Sequence, residues 1–244
     1  MNTVILADVH LKVNDAGAET REAFVRFLRK IDPNETERVI ILGDLFDFWF
    51  EYRHVIFSGY FEVLCALHDL QRANVKLDLI CGNHDFWAGR FLKNHLNIDI
   101  HPDQLRITLG NQKLLFIHGD GINPKDWVYR FYKKFARNPL VVAAFRLIHP
   151  DWAIKIAQAI SHRSRALRAA DDPAQSDEAQ AIRAFAEREL AKQKLDAIIC
   201  GHSHHPEQCD FDSGTYYNTG DWLEARTYLI WDNDTFTRAY YEDV

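Results

Sequence analysis

The chain has 244 residues, a formal net charge of −6, 47% hydrophobic and 26% charged residues. Those values belong to a globular protein of one large α/β domain, residues 1–244, and exclude a chain built of membrane spans, because no apolar run approaches the roughly 18–20 residues such a helix needs. The acidic balance gives no reason to expect a nucleic-acid partner.

The chain starts MNTVILADVHL, with no basic stretch before the apolar run, so no signal peptide is expected and the expected compartment is the cytoplasm. Cys65, Cys81, Cys200 and Cys209 form no C-x-x-C pair and read as reduced thiols.

In chain order, one pattern recurs five times. A short apolar, β-branched run ends abruptly at a polar residue: TVILA before Asp8, RVIIL-Gly before Asp44, LDLIC-Gly before Asn83, LLFI before His118 and DAIIC-Gly before His202. Runs of this kind fit strands buried on both faces. Ligands of open α/β sheets collect beyond the carboxyl ends of strands, so the five ends are expected to converge.

Phe24, Phe27, Leu28 and Ile31 repeat with helical spacing, and Phe61, Leu64 and Leu67 do so within Ser58 to Ala73. Hairpins are expected over Leu105–Leu109 with Lys113–Ile117, and over Arg226–Trp231 with Thr235–Tyr241.

Residues 124–195 break the strand rhythm and read as a helical insertion capping the site. Val128, Phe131, Tyr132 and Phe135 form one amphipathic face and Trp152, Ile156 and Ile160 another. Asp172, Pro173 and Gln175 look like the start of a helix running through Ile182, Phe185 and Leu190. Between Arg130 and Arg168 stand nine Lys or Arg against one acid, Asp151, an asymmetry that asks for an anionic partner.

The polar residues at the strand ends suit two divalent cations. Asp8, His10, Asp44, Asn83, His118, His202 and His204 offer oxygen and imidazole nitrogen but no thiolate, a set suited to manganese, iron, zinc or magnesium. A carboxylate can touch two cations about 3.5–4 Å apart, and Asp44 is the candidate bridge. Glycines before Asp44, Asn83 and His202 are expected to let the backbone turn sharply.

This ordered set resembles the calcineurin-like metallophosphoesterase superfamily over nearly the whole chain. The resemblance implies an α/β fold of two sheets in αββα layers, two ions favouring Mn2+, one ion on Asp8, His10, Asp44 and His204, and the other on Asp44, Asn83, His118 and His202. It implies hydrolysis by a water shared between the ions. His84, one residue after a ligand, is expected to face the substrate phosphate with Asp85 beside it, as cation or proton donor.

GDLFDFWFEY (Gly43 to Tyr52), HGDG (His118 to Gly121), SHRSR (Ser161 to Arg165) and the insertion resemble the bacterial UDP-2,3-diacylglucosamine pyrophosphohydrolases of lipid A biosynthesis. That likeness implies a nucleotide-diphosphate lipid as substrate, cleaved to UMP and an acylated sugar phosphate, with contacts from Asn83, His84, Asp126, Ser164 and Arg165. A basic, apolar insertion would meet the diphosphate and the acyl chains, or rest on the anionic inner membrane as a peripheral protein. One departure stands out: the best-known branch carries Arg where this chain has His84. A phosphodiesterase of soluble nucleotides and a non-catalytic metal-binding scaffold are the competing functions. Phe46, Phe48, Trp49 and Phe50 are expected to pack the loop, and Asp47, Asp120 and Asn218 to Trp222 to orient ligands or merely turn the chain.

Overall fold

The computed structural model describes residues 1–157, 159 and 176–242. Six strands form the first sheet, in the order β11-β10-β1-β2-β3-β4, and five the second, in the order β5-β6-β7-β9-β8. Within the first, β1 (Asn2–Leu6), β2 (Thr36–Ile41), β3 (Lys76–Ile80) and β4 (Asp99–His101) run parallel, and β10 (Thr227–Asp232) and β11 (Thr235–Tyr240) complete it as a hairpin. Within the second, β6 (Gln112–Ile117), β7 (Ala197–Cys200) and β9 (Gly214–Asn218) are parallel, flanked by antiparallel β5 (Gln104–Leu109) and β8 (Glu207–Phe211).

Alternation along the strands explains the layering. Ile5, Ile40 and Ile80 point toward Leu114, Phe116 and Ile199 of the other sheet and form the inner core. Their neighbours Val4, Leu6, Val39, Ile41 and Leu79 point the opposite way, onto α1 (Ala18–Lys30) and α2 (Phe61–Arg72). On the far side Leu115, Ile117, Ile198 and Cys200 meet Ile182, Ala186 and Leu190 of α7 (Asp177–Gln193). Both faces of both sheets are therefore covered, giving helix, sheet, sheet and helix layers.

Three expectations shift. Phe61 is exposed, while Leu64 and Leu67 are buried as expected, joined by Val63, Ala66 and Leu70 of α2. Helix α7, assigned by sequence to the insertion, covers the second sheet and so belongs to the core layers. Its N-cap is Ser176, whose side chain accepts from Ala179 N at 3.1 Å; Asp172, Pro173 and Gln175 lie outside the described residues. A third sheet-building pair, β8 with β9, was not foreseen, because EQCDF and GTYYN have weak alternation and turn on residues 212–213.

The described part of residues 124–157 is largely helical: after α3 (Arg90–Leu96) come α4 (Trp127–Ala136), α5 (Pro139–Phe145) and α6, described over residues 150–157. Its apolar faces are not buried. Val128, Phe131, Tyr132 and Phe135 of α4, with Trp127, are exposed, as are Trp152 and Ile156 of α6, where Ala153 and Ile154 turn to the core instead. Ile160 lies outside the described residues. Polar and aromatic contacts tie α4 and α5 down: Arg137 pairs with Asp103 at 2.7 Å, Trp87 Nε1 donates to Ala136 O at 3.0 Å, and Phe145 packs on Phe50 and Trp87. Among the described residues no helix is long and apolar enough to cross a membrane.

Candidate metal centre

The carboxyl ends of β1, β2 and β3 in one sheet and of β6 and β7 in the other meet at one edge of the sandwich. The loops keep the register of the strands they leave: His10 N donates to Asp44 O at 2.9 Å, Leu11 N to Leu45 O at 3.0 Å and Gly201 N to His118 O at 3.0 Å. All seven residues singled out as ligands are brought together there. Asp8, His10, Asp44, His118 and His202 are buried, Asn83 is half-buried and the His204 side chain is 38% exposed, so the cluster opens to solvent on one side.

The backbone at this edge is unusual. Asp8 (φ 56°), His10 (φ 49°), Asp44 (φ 53°), His202 (φ 68°) and His204 (φ 57°) all lie in the left-handed region, which costs a residue with a β-carbon about 1–2 kcal/mol. A strand that simply continued would alternate its side chains across the sheet; the left-handed turn instead aims Asp8 and His10 at the same point. The preceding glycines act in two ways. Gly43 is itself left-handed at φ 90°, whereas Gly82 is needed for room, because a β-carbon there would collide with Asp44 Oδ1.

Asp8 and Asp44 divide their oxygens. Asp8 Oδ2 accepts from His202 N at 2.8 Å, locking the loop after β7 to the loop after β1, and Asp44 Oδ1 accepts from His84 N at 2.8 Å, locking the loop after β3. The other oxygens face the cluster. Asp8 Oδ1 is buried without a hydrogen bond, 3.5 Å from His204 Nε2 and 3.8 Å from His10 Nε2. Asp44 Oδ2 lies 3.8 Å from His10 Nε2 and 3.5 Å from His118 Nε2, between imidazoles assigned to different ions.

These distances test whether a cation fits. Two ligand atoms about 2.1 Å from one ion stand roughly 3.0–3.4 Å apart. His10 Nε2 and His204 Nε2 are 3.2 Å apart, His118 Nε2 and His202 Nδ1 3.1 Å, and His118 Nε2 and Asn83 Oδ1 3.2 Å. Three groups are compact enough to hold an ion among the described residues: Asp8, His10 and His204; His10, Asp44 and His84; and Asp8, Asp44 and His118.

Charge points the same way. Burial disfavours a charged His118, yet Asp44, Asp8 and Asp120 raise its pKa to about 9. Burial likewise pushes Asp8 up, and the imidazoles of His204, His118 and His202 outweigh it and hold the carboxyl below its ordinary value. The carboxylates thus favour protonated imidazoles, a demand for positive charge that divalent ions held there would also meet.

His84 sits at the rim, its side chain 17% exposed, its Nε2 3.9 Å from Asp44 Oδ2 and its ring edge-on to His10 at 4.8 Å. The expected partnership with Asp85 is absent. Asp85 is fully buried and its two oxygens accept from Leu45 N at 2.9 Å and Gly82 N at 2.8 Å, so it fastens the β2 and β3 loops together instead of facing a substrate. Burial and the nearby Asp44 push its pKa up to about 7. The partner of His84 is Asp47, whose carbonyl oxygen lies 2.8 Å from Nδ1 and whose Oδ1 lies 3.7 Å from it; Asp47 Oδ1 is also 4.0 Å from His10 Nδ1.

Supporting contacts settle other open readings. Asn218 Nδ2 donates to Gly201 O at 2.7 Å and Ser203 Oγ at 3.0 Å, and Trp222 N donates to Ala7 O at 3.1 Å, so NTGDW both buries a Trp and braces two ligand loops. Asp120 joins the His118 loop to the cap, taking Lys133 Nζ at 2.7 Å and the Tyr129 hydroxyl at 2.5 Å. Asp126 caps α4, accepting from Tyr129 N at 3.4 Å, and no direct contact ties it to the ligand cluster; Ser164 and Arg165 lie outside the described residues. Phe46, Trp49 and Phe50 are buried, with Phe46 stacked on Trp49 at 4.4 Å. Sequence reasoning passed over Glu178, which looks like an ordinary acid in the first turn of a helix yet lies 3.3 Å from His202 Nε2.

Beside the His84 loop is a cavity of about 1030 Å³, lined by Trp49, Trp87, Phe91 and Leu147 together with Arg53, Arg90 and Arg146. None of the ligand candidates lines it, but Trp49 N donates to His84 O at 3.2 Å, which places the cavity wall next to the His84 loop.

A family model described as calcineurin-like phosphoesterase matches residues 1–206. The UDP-2,3-diacylglucosamine hydrolase of Serratia proteamaculans is 30% identical over 84% of this chain and 83% of its own length. That of Porphyromonas gingivalis is 27% identical over 86% of each, and that of Xanthomonas campestris pv. campestris 29% over 96% of each.

Proposed function

The chain belongs to the calcineurin-like phosphoesterase family, and on that premise we propose that this metal-dependent enzyme hydrolyses the diphosphate of UDP-2,3-diacylglucosamine, releasing UMP and 2,3-diacylglucosamine 1-phosphate. The observation that carries the substrate is the likeness, over 84–86% of this chain, to relatives named for hydrolysis of that compound.

Asp8, His10, Asp44 and His204 would hold one ion, and Asp44, Asn83, His118 and His202 the other, with Asp44 Oδ2 shared; the soft-free donor set suits Mn2+. Bound there, the ions would lower the pKa of water and polarise the phosphoryl oxygens. The chain's own part is placement. The left-handed loops and the Asp8 and Asp44 clamps fix the ligand atoms before the substrate arrives, so little reorganisation remains during the reaction. His84 Nδ1–H donates a hydrogen bond to the Asp47 carbonyl oxygen, which leaves Nε2 as the atom facing the cleft. It donates to a phosphoryl or leaving oxygen only as the doubly protonated imidazolium, and the Asp44 and Asp47 carboxylates stand on either side of the ring.

The cavity beside His84 has the apolar rings for acyl chains and the arginines for phosphate. The exposed aromatic face of α4, with Lys134 and Arg130 beside it, suits peripheral docking on the anionic cytoplasmic leaflet of the inner membrane, where such a substrate resides. The test is UMP release by the Mn2+-loaded protein from UDP-2,3-diacylglucosamine and from UDP-N-acetylglucosamine. Strong preference for the acylated compound is expected, and equal turnover of both would make the enzyme a hydrolase of soluble nucleotides.

A further inference from the structure

We propose that Glu178 is a positioning residue of the metal centre, holding the His202 imidazole so that Nδ1 faces the ligand cluster; this rests on His202 being a ligand. The two ring nitrogens point in opposite directions. Nδ1 lies 3.1 Å from His118 Nε2, inside the cluster, and Nε2 lies 3.3 Å from Glu178 Oε1. An imidazole that lends its Nδ1 lone pair to a cation carries its proton on Nε2, and here a carboxylate oxygen stands at ion-pair distance from that nitrogen.

His118 uses the same device with the nitrogens exchanged, its Nε2 facing the cluster and its Nδ1 donating to Leu42 O at 2.7 Å. The difference is charge. Leu42 offers a neutral carbonyl, whereas Glu178 offers an anion, which fixes the ring and also makes its other nitrogen a stronger donor to a cation.

The carboxylate is itself fixed. Its Oε2 accepts from the buried Asn123 Nδ2 at 3.4 Å, and α7 is held by the Ser176 cap and by Ile182, Ala186 and Leu190 in the outer core. Gly119 allows the close approach: a β-carbon there would stand 3.2 Å from both His202 Cβ and Ile182 Cδ1. An acid in the first turn would also complement the helix dipole, but Asp177 is already there, exposed and paired with Lys125 at 3.0 Å. A dipole role would leave metal affinity untouched.

The experiment titrates the metal-free full-length chain with Mn2+ alone, reading free Mn2+ by electron paramagnetic resonance. E178A is expected to bind two ions with one step weakened about 10–100-fold, and E178Q, whose amide oxygen can accept from Nε2, to recover part of that loss. H202A is expected to lose one ion. Unchanged affinities in E178A beside a lost ion in H202A would overturn the role of Glu178 alone, whereas two ions at wild-type affinity in H202A would overturn the ligand assignment beneath it. A single bound ion in E178A and E178Q would make Glu178 a ligand and end the positioning role. Should E178A fail to fold, E178Q and E178D carry the comparison.

Discussion

The metal centre and the cap each invert the usual rule of burial, in opposite directions. At the strand ends Asp8, Asp44 and Asp85 are essentially inaccessible to solvent. On α4, 68% of Trp127 and 70% of Phe131 are exposed. Buried carboxylates persist where backbone amides and cationic charge offset their desolvation, and exposed aromatics where a partner covers them. The inside-out pattern thus separates the cluster proposed to do the chemistry from an exposed aromatic surface proposed to meet a lipid.

Perturbing either region should break one half of this contrast and spare the other. Asp44→Ala removes the carboxylate proposed to serve both ions and is expected to abolish turnover while the chain stays folded, checked by UMP release, metal content and circular dichroism. His84→Ala should lower kcat about 100-fold or more with both ions retained, because it removes a donor at the phosphate and no assigned ligand. A variant that kept full kcat would leave His84 with a packing role.

Replacing Trp127 and Phe131 together by Ser should weaken partition onto vesicles containing anionic lipid by about tenfold or more, with the melting temperature unchanged, since neither side chain packs in the core. Equal binding of variant and wild type would detach the membrane from the function of α4. Smallest is Lys133→Met, which deprives the buried Asp120 of a charged donor and should cost about 1–2 kcal/mol by denaturant melt and loosen α4 to proteolysis.

The contrast also marks what could be learned from the sequence. The five strands that deliver ligands were legible because each carries its own signal, an unbroken Val, Ile and Leu run ending at a ligand-type residue. The clustering was legible because all seven ligand candidates lie within a few residues of those ends. The left-handed backbone at Asp8, His10, Asp44, His202 and His204 left no trace, since none of these positions is glycine and the strain is imposed by neighbouring loops. Asp85 misled because adjacency in sequence suggested a shared task, while the chain at residues 84 and 85 turns one side chain to the cleft and the other to the backbone amides beneath. Glu178 was invisible for the reverse reason, its partner His202 being 24 residues away and on another layer.

Similarly, the apolar spacing of α4 predicted a helix correctly but could not say which face would be covered, because periodicity is the same for a helix packed on a core and one that waits for a lipid.

Anomalous X-ray diffraction from crystals soaked in Mn2+ tests the central claim most directly. Two peaks about 3.5–4 Å apart, with the Asp44 carboxylate between them and His202 on one of them, are expected. A single peak, or two peaks without Asp44 in common, would contradict the dinuclear centre.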